Sequence, residues 1–123
     1  MTRIRIVAGP VEADAELNDS ATATKIVAAL PIRAQAQTWG DEIYFSVPVH
    51  DEDDSARAVV DVGDLAYWPP GNAFCIFFGP TPASAGSECR AASPVNVVGR
   101  VVSDPLAFRE VRSGESVAIE LCE

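Results

Sequence analysis

The sequence predicts a mainly β protein: a closed antiparallel β-barrel of about eight short strands with one or two helices. Short stretches of alternating polar and apolar residues recur along the chain, turn signals separate them, and one stretch has helical spacing. A closed barrel is favoured over a sandwich because closure removes exposed strand edges. The 123 residues suffice for one domain over 1–123, without repeats or linkers.

The first half of the chain combines strands with a single helix. Ser20 is a candidate N-cap for a helix over 21–30, which Pro31 ends. Ile26, Val27 and Leu30 form its apolar side. The strands predicted in this half cover residues 3–8, 11–17, 32–38 and 42–49. In the last of these, Ile43 and Phe45 are expected to point into the core.

The second half is predicted to be strands and loops. Residues 79–93, rich in Pro, Ser, Ala and Gly, are predicted to be one long loop, and residues 104–111 a helical turn. The strands expected here cover 65–68, 74–78, 95–102 and 116–121.

Composition excludes several classes of partner. Eighteen acidic residues against nine basic ones give a net charge of -9, which argues against binding to nucleic acids and to anionic membranes. No signal peptide or membrane span is visible, and three widely separated cysteines suggest neither a disulfide framework nor a metal site. We therefore expect a cytoplasmic protein without a cofactor.

The single histidine stands before a run of acidic residues. His50 and the acids at 51–54 suggest metal ligands, but consecutive acids on a loop do not converge on one ion without the spacing of a calcium loop. A solvated loop is the preferred interpretation, and no metal is predicted.

Residues 63–82 hold an unusual share of the aromatic side chains. Tyr67, Trp68 and three phenylalanines surround a Pro-Pro-Gly turn in a chain otherwise poor in aromatics. Large rings are costly to expose to water, so their concentration indicates either the core or a binding surface.

Several motifs resemble those of one family of small prokaryotic proteins, the cyclophilin-like proteins, whose function is not established. These motifs are Thr38-Trp39-Gly40-Asp41-Glu42-Ile43-Tyr44-Phe45-Ser46, Gly63 to Gly71, Phe77-Phe78-Gly79 and Val95-Asn96-Val97-Val98-Gly99-Arg100-Val101. The resemblance covers nearly the whole chain. It implies a cyclophilin-like barrel of eight antiparallel strands with helical caps.

The resemblance to true cyclophilins is weaker and lacks their catalytic cation. Where cyclophilins carry Phe-His-Arg, this chain has Tyr44-Phe45-Ser46, and Cys75 takes the place of a glutamine. Prolyl isomerisation needs an arginine that stabilises the twisted amide, against a barrier of about 20 kcal/mol. A groove of similar shape is implied, but whether the protein is an enzyme stays open.

We expect a ligand-binding groove on the barrel wall. Its predicted residues are Glu42, Tyr44, Ser46, Tyr67, Trp68, Pro69, Phe74, Cys75 and Phe77. The simpler alternatives are a solvated strand face for Glu42, Tyr44 and Ser46, and a rigid turn that Trp68 clamps. Trp39 is interpreted as a structural plug at a strand corner.

Three functions are consistent with the sequence. The first is a binding module that holds a peptide segment or a small apolar ligand in the aromatic groove. The second is a prolyl cis-trans isomerase of reduced or atypical activity. The third is an interaction subunit, for instance of a homodimer, whose exposed aromatics form an interface.

Overall fold

The computed structural model describes residues 1–53 and 56–122. Its secondary structure is dominated by antiparallel strands. The strands are β1 Thr2–Ala8, β2 Val11–Leu17, β3 Ile32–Gln35, β4 Gln37–Thr38, β5 Glu42–Ser46, β6 Arg57–Val60, β7 Asp64–Trp68, β8 Ala73–Phe77, β9 Cys89–Val101 and β10 Ser116–Leu121. Helix α1 spans Ala21–Ala29, and 3-10 turns cover Pro69–Gly71 and Pro105–Glu110.

The strands form one curved sheet whose two ends come together. The order is β3-β10-β1-β2-β9-β7-β8-β5-β4, all neighbours are antiparallel, and β6 pairs with β9 beside this path. The first and last strands of that order are consecutive in the chain, separated only by Ala36. The prediction of a mainly β, antiparallel fold is confirmed.

Within the residues that the structure describes, hydrogen bonds do not close the barrel, so the predicted closure is corrected while the mainly β class stands. At the seam, the Ala36 N–H donates to the Glu115 carbonyl at 2.8 Å, and the Ala36 carbonyl accepts from the Gly114 N–H at 2.7 Å. These two bonds connect Ala36, the residue between β3 and β4, to the loop that precedes β10. The covalent chain and the loop before β10 therefore bridge the seam.

Helix α1 begins and ends close to the predicted positions. The Ser20 hydroxyl accepts a hydrogen bond from the Ala23 N–H at 3.2 Å, which confirms the predicted N-cap. Ile26 is fully buried, while Val27 and Leu30 pack against the edge of the core. The helix ends at Ala29, before Pro31. Its apolar side covers the barrel core as the spacing predicts.

The main core fills the inside of the curved sheet. Ile43 and Phe45 of β5 point inward as predicted, and the rings of Phe45 and Phe74 stack with centroids 5.4 Å apart. Tyr67 joins this core although it carries a hydroxyl group. That hydroxyl lies 2.7 Å from the Val49 carbonyl and accepts from the Asp51 N–H at 3.2 Å, so it is satisfied while buried.

A second, smaller core lies on the other face of β7 and β8. It is formed by Val60, Ala66, Cys75, Phe77, Cys89, Ala91 and Val95. Residues 79–93 are therefore not one long loop, because β9 begins at Cys89 and its first half pairs with β6. The short side chains of Cys89 and Ala91 alternate toward this core, and a sequence of small residues conceals that alternation.

The acidic loop after His50 ties helix α1 to the barrel. Asp51 accepts a hydrogen bond from the Thr22 hydroxyl at 2.7 Å and pairs with Lys25 at 3.2 Å. Within residues 1–53 and 56–122, no group of three or more potential metal-ligating side chains converges; Asp54, part of the acidic run, lies outside the described residues. In the same part of the chain, no helix is long and apolar enough to cross a membrane.

Candidate ligand-binding site

A cavity of about 250 Å³ opens on the outer face of the sheet, above the second core. Strands β5, β7 and β8 contribute its floor and one wall, and β9 contributes the opposite wall. Its lining residues are Trp39, Glu42, Tyr44, Trp68, Cys75, Ala91, Ala92 and Val95. Three large aromatic rings and one carboxyl group therefore share a largely apolar space.

Glu42 is the acidic group of the cavity and is almost completely buried. Only 5% of its surface is exposed, because its neighbours are rings and small apolar side chains. Burial raises the pKa of Glu42 to about 7, and a hydrogen bond from the Cys75 thiol opposes that rise. The carboxyl group can therefore change its charge near neutral pH.

Cys75 lies beside Glu42 on the neighbouring strand. It pairs with Tyr44 in the β5–β8 ladder, and its side chain is buried. Burial, together with the negative charge of Glu42, raises the pKa of the Cys75 thiol well above its ordinary value. This cysteine is consequently a neutral hydrogen-bond donor to the carboxylate and not a reactive thiolate.

Trp39 reaches the cavity through a tight turn between β4 and β5. The Trp39 N–H donates to the Glu42 carbonyl at 2.9 Å, which holds the two residues together. Gly40 within this turn has a φ of 62°, and a Cβ there would lie 2.9 Å from the Cα of Thr81. Glycine therefore permits both the left-handed backbone and the close approach of the next loop.

Trp68 is fixed at both ends of its ring. Its indole N–H donates to the Ser93 hydroxyl at 2.7 Å, across to β9. Its six-membered ring lies over Gly71, where an added Cβ would come within 2.6 Å of the ring carbons. The Pro-Pro-Gly turn thus clamps Trp68, while the same side chain lines the cavity.

Tyr44 and the small residues of β9 complete the walls. The Tyr44 hydroxyl lies 3.2 Å from the Gln37 side-chain oxygen, so its polar end has a partner on β4. Ala91, Ala92 and Val95 face the rings from the other side. Because these three side chains are short, the space between the walls is left open.

The structure divides the nine predicted site residues into two groups. Glu42, Tyr44, Trp68 and Cys75 line the cavity together. The other five lie elsewhere for different reasons. Tyr67 and Phe74 belong to the main core, Phe77 is sealed in the second core, Ser46 is exposed at the far end of β5, and Pro69 stands in the 3-10 turn.

Alternation explains most of this division. Successive side chains of a strand point to opposite faces, so Phe74 and Cys75 cannot both face the cavity. In the β5–β8 ladder Tyr44 pairs with Cys75, whereas Ser46 pairs with Ala73, two residues further along. Phe77 lies on the same face of β8 as Cys75, but the β6–β9 ribbon, which is the pair formed by β6 and the first half of β9, covers it.

Four lining residues were not predicted as part of the site. Trp39 was assigned a structural role, although the spacing of the Trp39–Glu42 turn could have placed it beside Glu42. Ala91, Ala92 and Val95 belong to a wall that forms only when the first half of β9 folds over β8. No local signal in such small residues indicates a binding surface.

The fold agrees with what comparison with known proteins shows. The family model described as Cyclophilin-like matches residues 2–120. The chain therefore belongs to the cyclophilin-like family. No curated protein matches it.

A solved structure shares both the fold and much of the sequence. The chain is similar to the hypothetical protein AF2241 from Archaeoglobus fulgidus, known from a solution structure, with 42% identity and a TM-score of 0.83. The match covers 98% of this chain and 95% of that one. The family resemblance seen in the sequence is thereby confirmed.

Proposed function

We propose that this protein binds a small apolar ligand, or one apolar side chain of a peptide, in the cavity beside Glu42. The observation that carries the proposal is the convergence of Trp39, Tyr44 and Trp68 on one open space. Aromatic side chains exposed in a concave surface supply much apolar contact area at little cost in conformational entropy.

The size of the cavity limits what it can hold. Its volume of about 250 Å³ is below the range of roughly 300–1,000 Å³ typical of sites for drug-sized ligands. A head group, a small ring or a single side chain fits such a space. A longer peptide would have to leave most of its length on the surface of the barrel.

Prolyl isomerisation is not the function that we propose. The reaction requires a cation near the twisted amide, whereas the described residues that line the cavity include a carboxyl group and neither arginine nor lysine. An assay of cis-trans isomerisation in a prolyl peptide is expected to show no acceleration. A clear acceleration would make the isomerase hypothesis the better one.

Binding can be tested with a neutral probe, 3,3-dimethylbutan-1-ol, at millimolar concentration. In NMR titrations of isotopically labelled protein, we expect shifts at the indole N–H groups of Trp39 and Trp68 and at the amide of Ala91. The variant Trp68→Ala should weaken binding several-fold. Leu106→Ala, which removes an exposed side chain outside the cavity, is the matched control and should bind normally.

Two results would count against the proposal. Either the probe causes no shifts, or it shifts residues far from the cavity and Trp68→Ala has no effect. Sedimentation of the same variants tests the interaction-subunit alternative. If Trp68→Ala changes the oligomeric state of the protein, the aromatic surface is an interface and not a ligand site.

A further inference from the structure

We propose that the cavity selects ligands with an alkylammonium head group, which Glu42 and the three surrounding aromatic rings hold together. This inference rests on the proposed function and specifies the chemistry of its ligand. It is drawn from the combination of one buried acidic side chain and an aromatic enclosure in a single space.

The rings form the first part of the argument. The faces of tryptophan and tyrosine carry negative electrostatic potential and attract a cation within about 6 Å of the ring centroid. Trp39, Tyr44 and Trp68 approach the cavity from three different parts of the chain: a turn, β5 and the end of β7. Rings on several sides of a space suit a rounded cation better than a flat ligand.

The polar atoms of two of these rings are already engaged. The Trp68 N–H is bonded to Ser93, and the Tyr44 hydroxyl has Gln37 as its neighbour. Ring carbon is therefore the main surface that these side chains offer to a ligand. A ligand that depends on hydrogen bonds from the rings would have to break existing ones.

The carboxyl group forms the second part of the argument. An ionised carboxylate in an apolar enclosure is costly unless a positive charge compensates it. A neutral ligand that fills the cavity would remove water from Glu42 and increase this cost. A cation would instead supply the missing charge, and the Cys75 thiol, which donates a hydrogen bond to Glu42, cannot do so.

None of the described side chains that line the cavity supplies that positive charge. Tyr44 and Cys75 are the other titratable groups among the described lining residues. Arg90 on β9, next to Ala91, pairs with Glu88 at 2.9 Å. Arg109 lies 3.9 Å from Asp41 and is turned toward that carboxylate. The position opposite Glu42 is thus left for a ligand.

The net charge of the protein and the volume of the cavity are both compatible with a small cationic ligand. The net charge of -9 raises the concentration of cations near the protein surface at low ionic strength. The cavity volume of about 250 Å³ accommodates a small head group with a short apolar chain. Both primary and quaternary ammonium groups have the required chemistry, and their relative affinity is decided by the test.

The decisive experiment compares a cation with a neutral molecule of the same shape. Choline and 3,3-dimethylbutan-1-ol differ in that a quaternary nitrogen replaces a carbon atom. We expect choline to bind roughly tenfold more tightly in NMR titrations, because Glu42 compensates its positive charge while the aromatic rings offset its loss of hydration. A third arm with n-butylamine shows whether a hydrogen-bonding ammonium group is preferred to a quaternary one.

The role of Glu42 is tested with Glu42→Gln. This variant keeps the size of the side chain and should lose the preference for choline, while binding of 3,3-dimethylbutan-1-ol persists. The matched control is Glu120→Gln, which neutralises an exposed carboxylate of β10 and should retain the preference. The fold of both variants is checked by circular dichroism.

A second measurement uses the unmodified protein and does not depend on a variant. Since a cation favours the ionised form of Glu42, whose pKa is about 7, choline should bind more tightly as the pH rises through this value. Calorimetry in buffers of different ionisation enthalpy should also detect protons released on binding at pH values below it.

The possible outcomes separate this inference from the proposed function. If the neutral alcohol binds in the cavity as tightly as both choline and n-butylamine, the head-group inference fails and the proposed function stands. If neither probe shifts the cavity residues, both fail. A choline preference that survives Glu42→Gln and does not change with pH would overturn the role given to Glu42.

Discussion

The buried side chains of Glu42 and Cys75 line one cavity together with three aromatic rings, and the interaction between them raises the pKa of the Cys75 thiol and opposes the rise in the pKa of Glu42. The pair joins two neighbouring strands at the floor of the cavity. Because the thiol stays neutral, Glu42 is the titrating member of the pair. The stability of the protein and the charge of its site therefore depend on the same proton.

The first prediction concerns stability and pH. Burial raises the pKa of Glu42 from 4.5 to about 7, so the folded protein holds this proton more tightly than the unfolded chain does. The stabilisation that protonated Glu42 contributes is fully present below pH 4.5, the ordinary pKa of the group, and is lost as the pH rises through the folded-state pKa of about 7. The loss should be on the order of 3 kcal/mol, measurable by urea unfolding at several pH values.

Variants identify the source of that dependence. In Glu42→Gln, the free energy of unfolding should vary much less between about pH 5 and pH 8 than it does in the natural protein. Glu120→Gln, which removes an exposed carboxylate, should leave the change as it is. An unaltered pH profile in Glu42→Gln would show that another group is responsible.

The second prediction concerns the support of Trp68. In Gly71→Ala, the new Cβ would meet the Trp68 ring at 2.6 Å, so the ring must move. We expect a loss of about 1–3 kcal/mol, typical of an overpacked site, together with weaker binding of 3,3-dimethylbutan-1-ol. Chemical unfolding and NMR titration measure the two effects.

A double variant provides the control for this contact. Trp68→Phe replaces the indole by a smaller ring and leaves room for the added methyl group. The cost of Gly71→Ala should therefore be smaller in the Trp68→Phe background than in the natural protein. Equal costs in both backgrounds would mean that the strain does not involve the tryptophan.

The third prediction separates an aromatic residue of the core from those of the site. Tyr67→Phe removes the buried hydroxyl that joins Val49 to Asp51 and leaves their backbone groups with one partner fewer. We expect a loss of about 1–3 kcal/mol in stability and an unchanged affinity for 3,3-dimethylbutan-1-ol. The opposite pattern, weak binding with full stability, would place Tyr67 in the site after all.

The fourth prediction concerns the acidic loop on helix α1. The Thr22 hydroxyl, then the Glu52 N–H and Lys25, lower the pKa of Asp51 below 3.8 despite some opposing desolvation. The stabilisation that ionised Asp51 contributes is fully present above the ordinary pKa of 3.8 and is lost as the pH falls through the lowered pKa of the folded protein. Thr22→Val should destabilise the protein at neutral pH and weaken this loss at acidic pH, both measured by thermal unfolding.

A neighbouring threonine on the same helix is the control. The Thr24 side chain is exposed, and its hydroxyl donates a hydrogen bond to the Ser20 carbonyl of its own turn. Thr24→Val should therefore keep the acid dependence of the natural protein. If both variants behave alike, the effect arises from helix propensity and not from Asp51.

Much of this fold was predictable from local patterns. The alternation in β5 placed Ile43 and Phe45 in the core, and Ser20 marked the start of helix α1. Such predictions succeed because strand alternation and helix capping depend on residues close together in the sequence. The motifs from Trp39 to Val101 also indicated the cyclophilin-like family, which the family match confirms.

Only the tertiary structure decided the composition of the cavity. The sequence alone placed Glu42, Tyr44, Trp68 and Cys75 among the candidate residues, together with Tyr67, Phe74 and Phe77, which do not line the cavity. Alternation sets Tyr67 and Phe74 on the inner face. The difference between Phe77 and Cys75 depends on where strands β6 and β9 cross the outer face of β8, which covers Phe77 and leaves Cys75 in the lining of the cavity. This crossing brings together segments that are distant in sequence, through residues as small as Ala91. Such packing leaves no periodic signal in the chain.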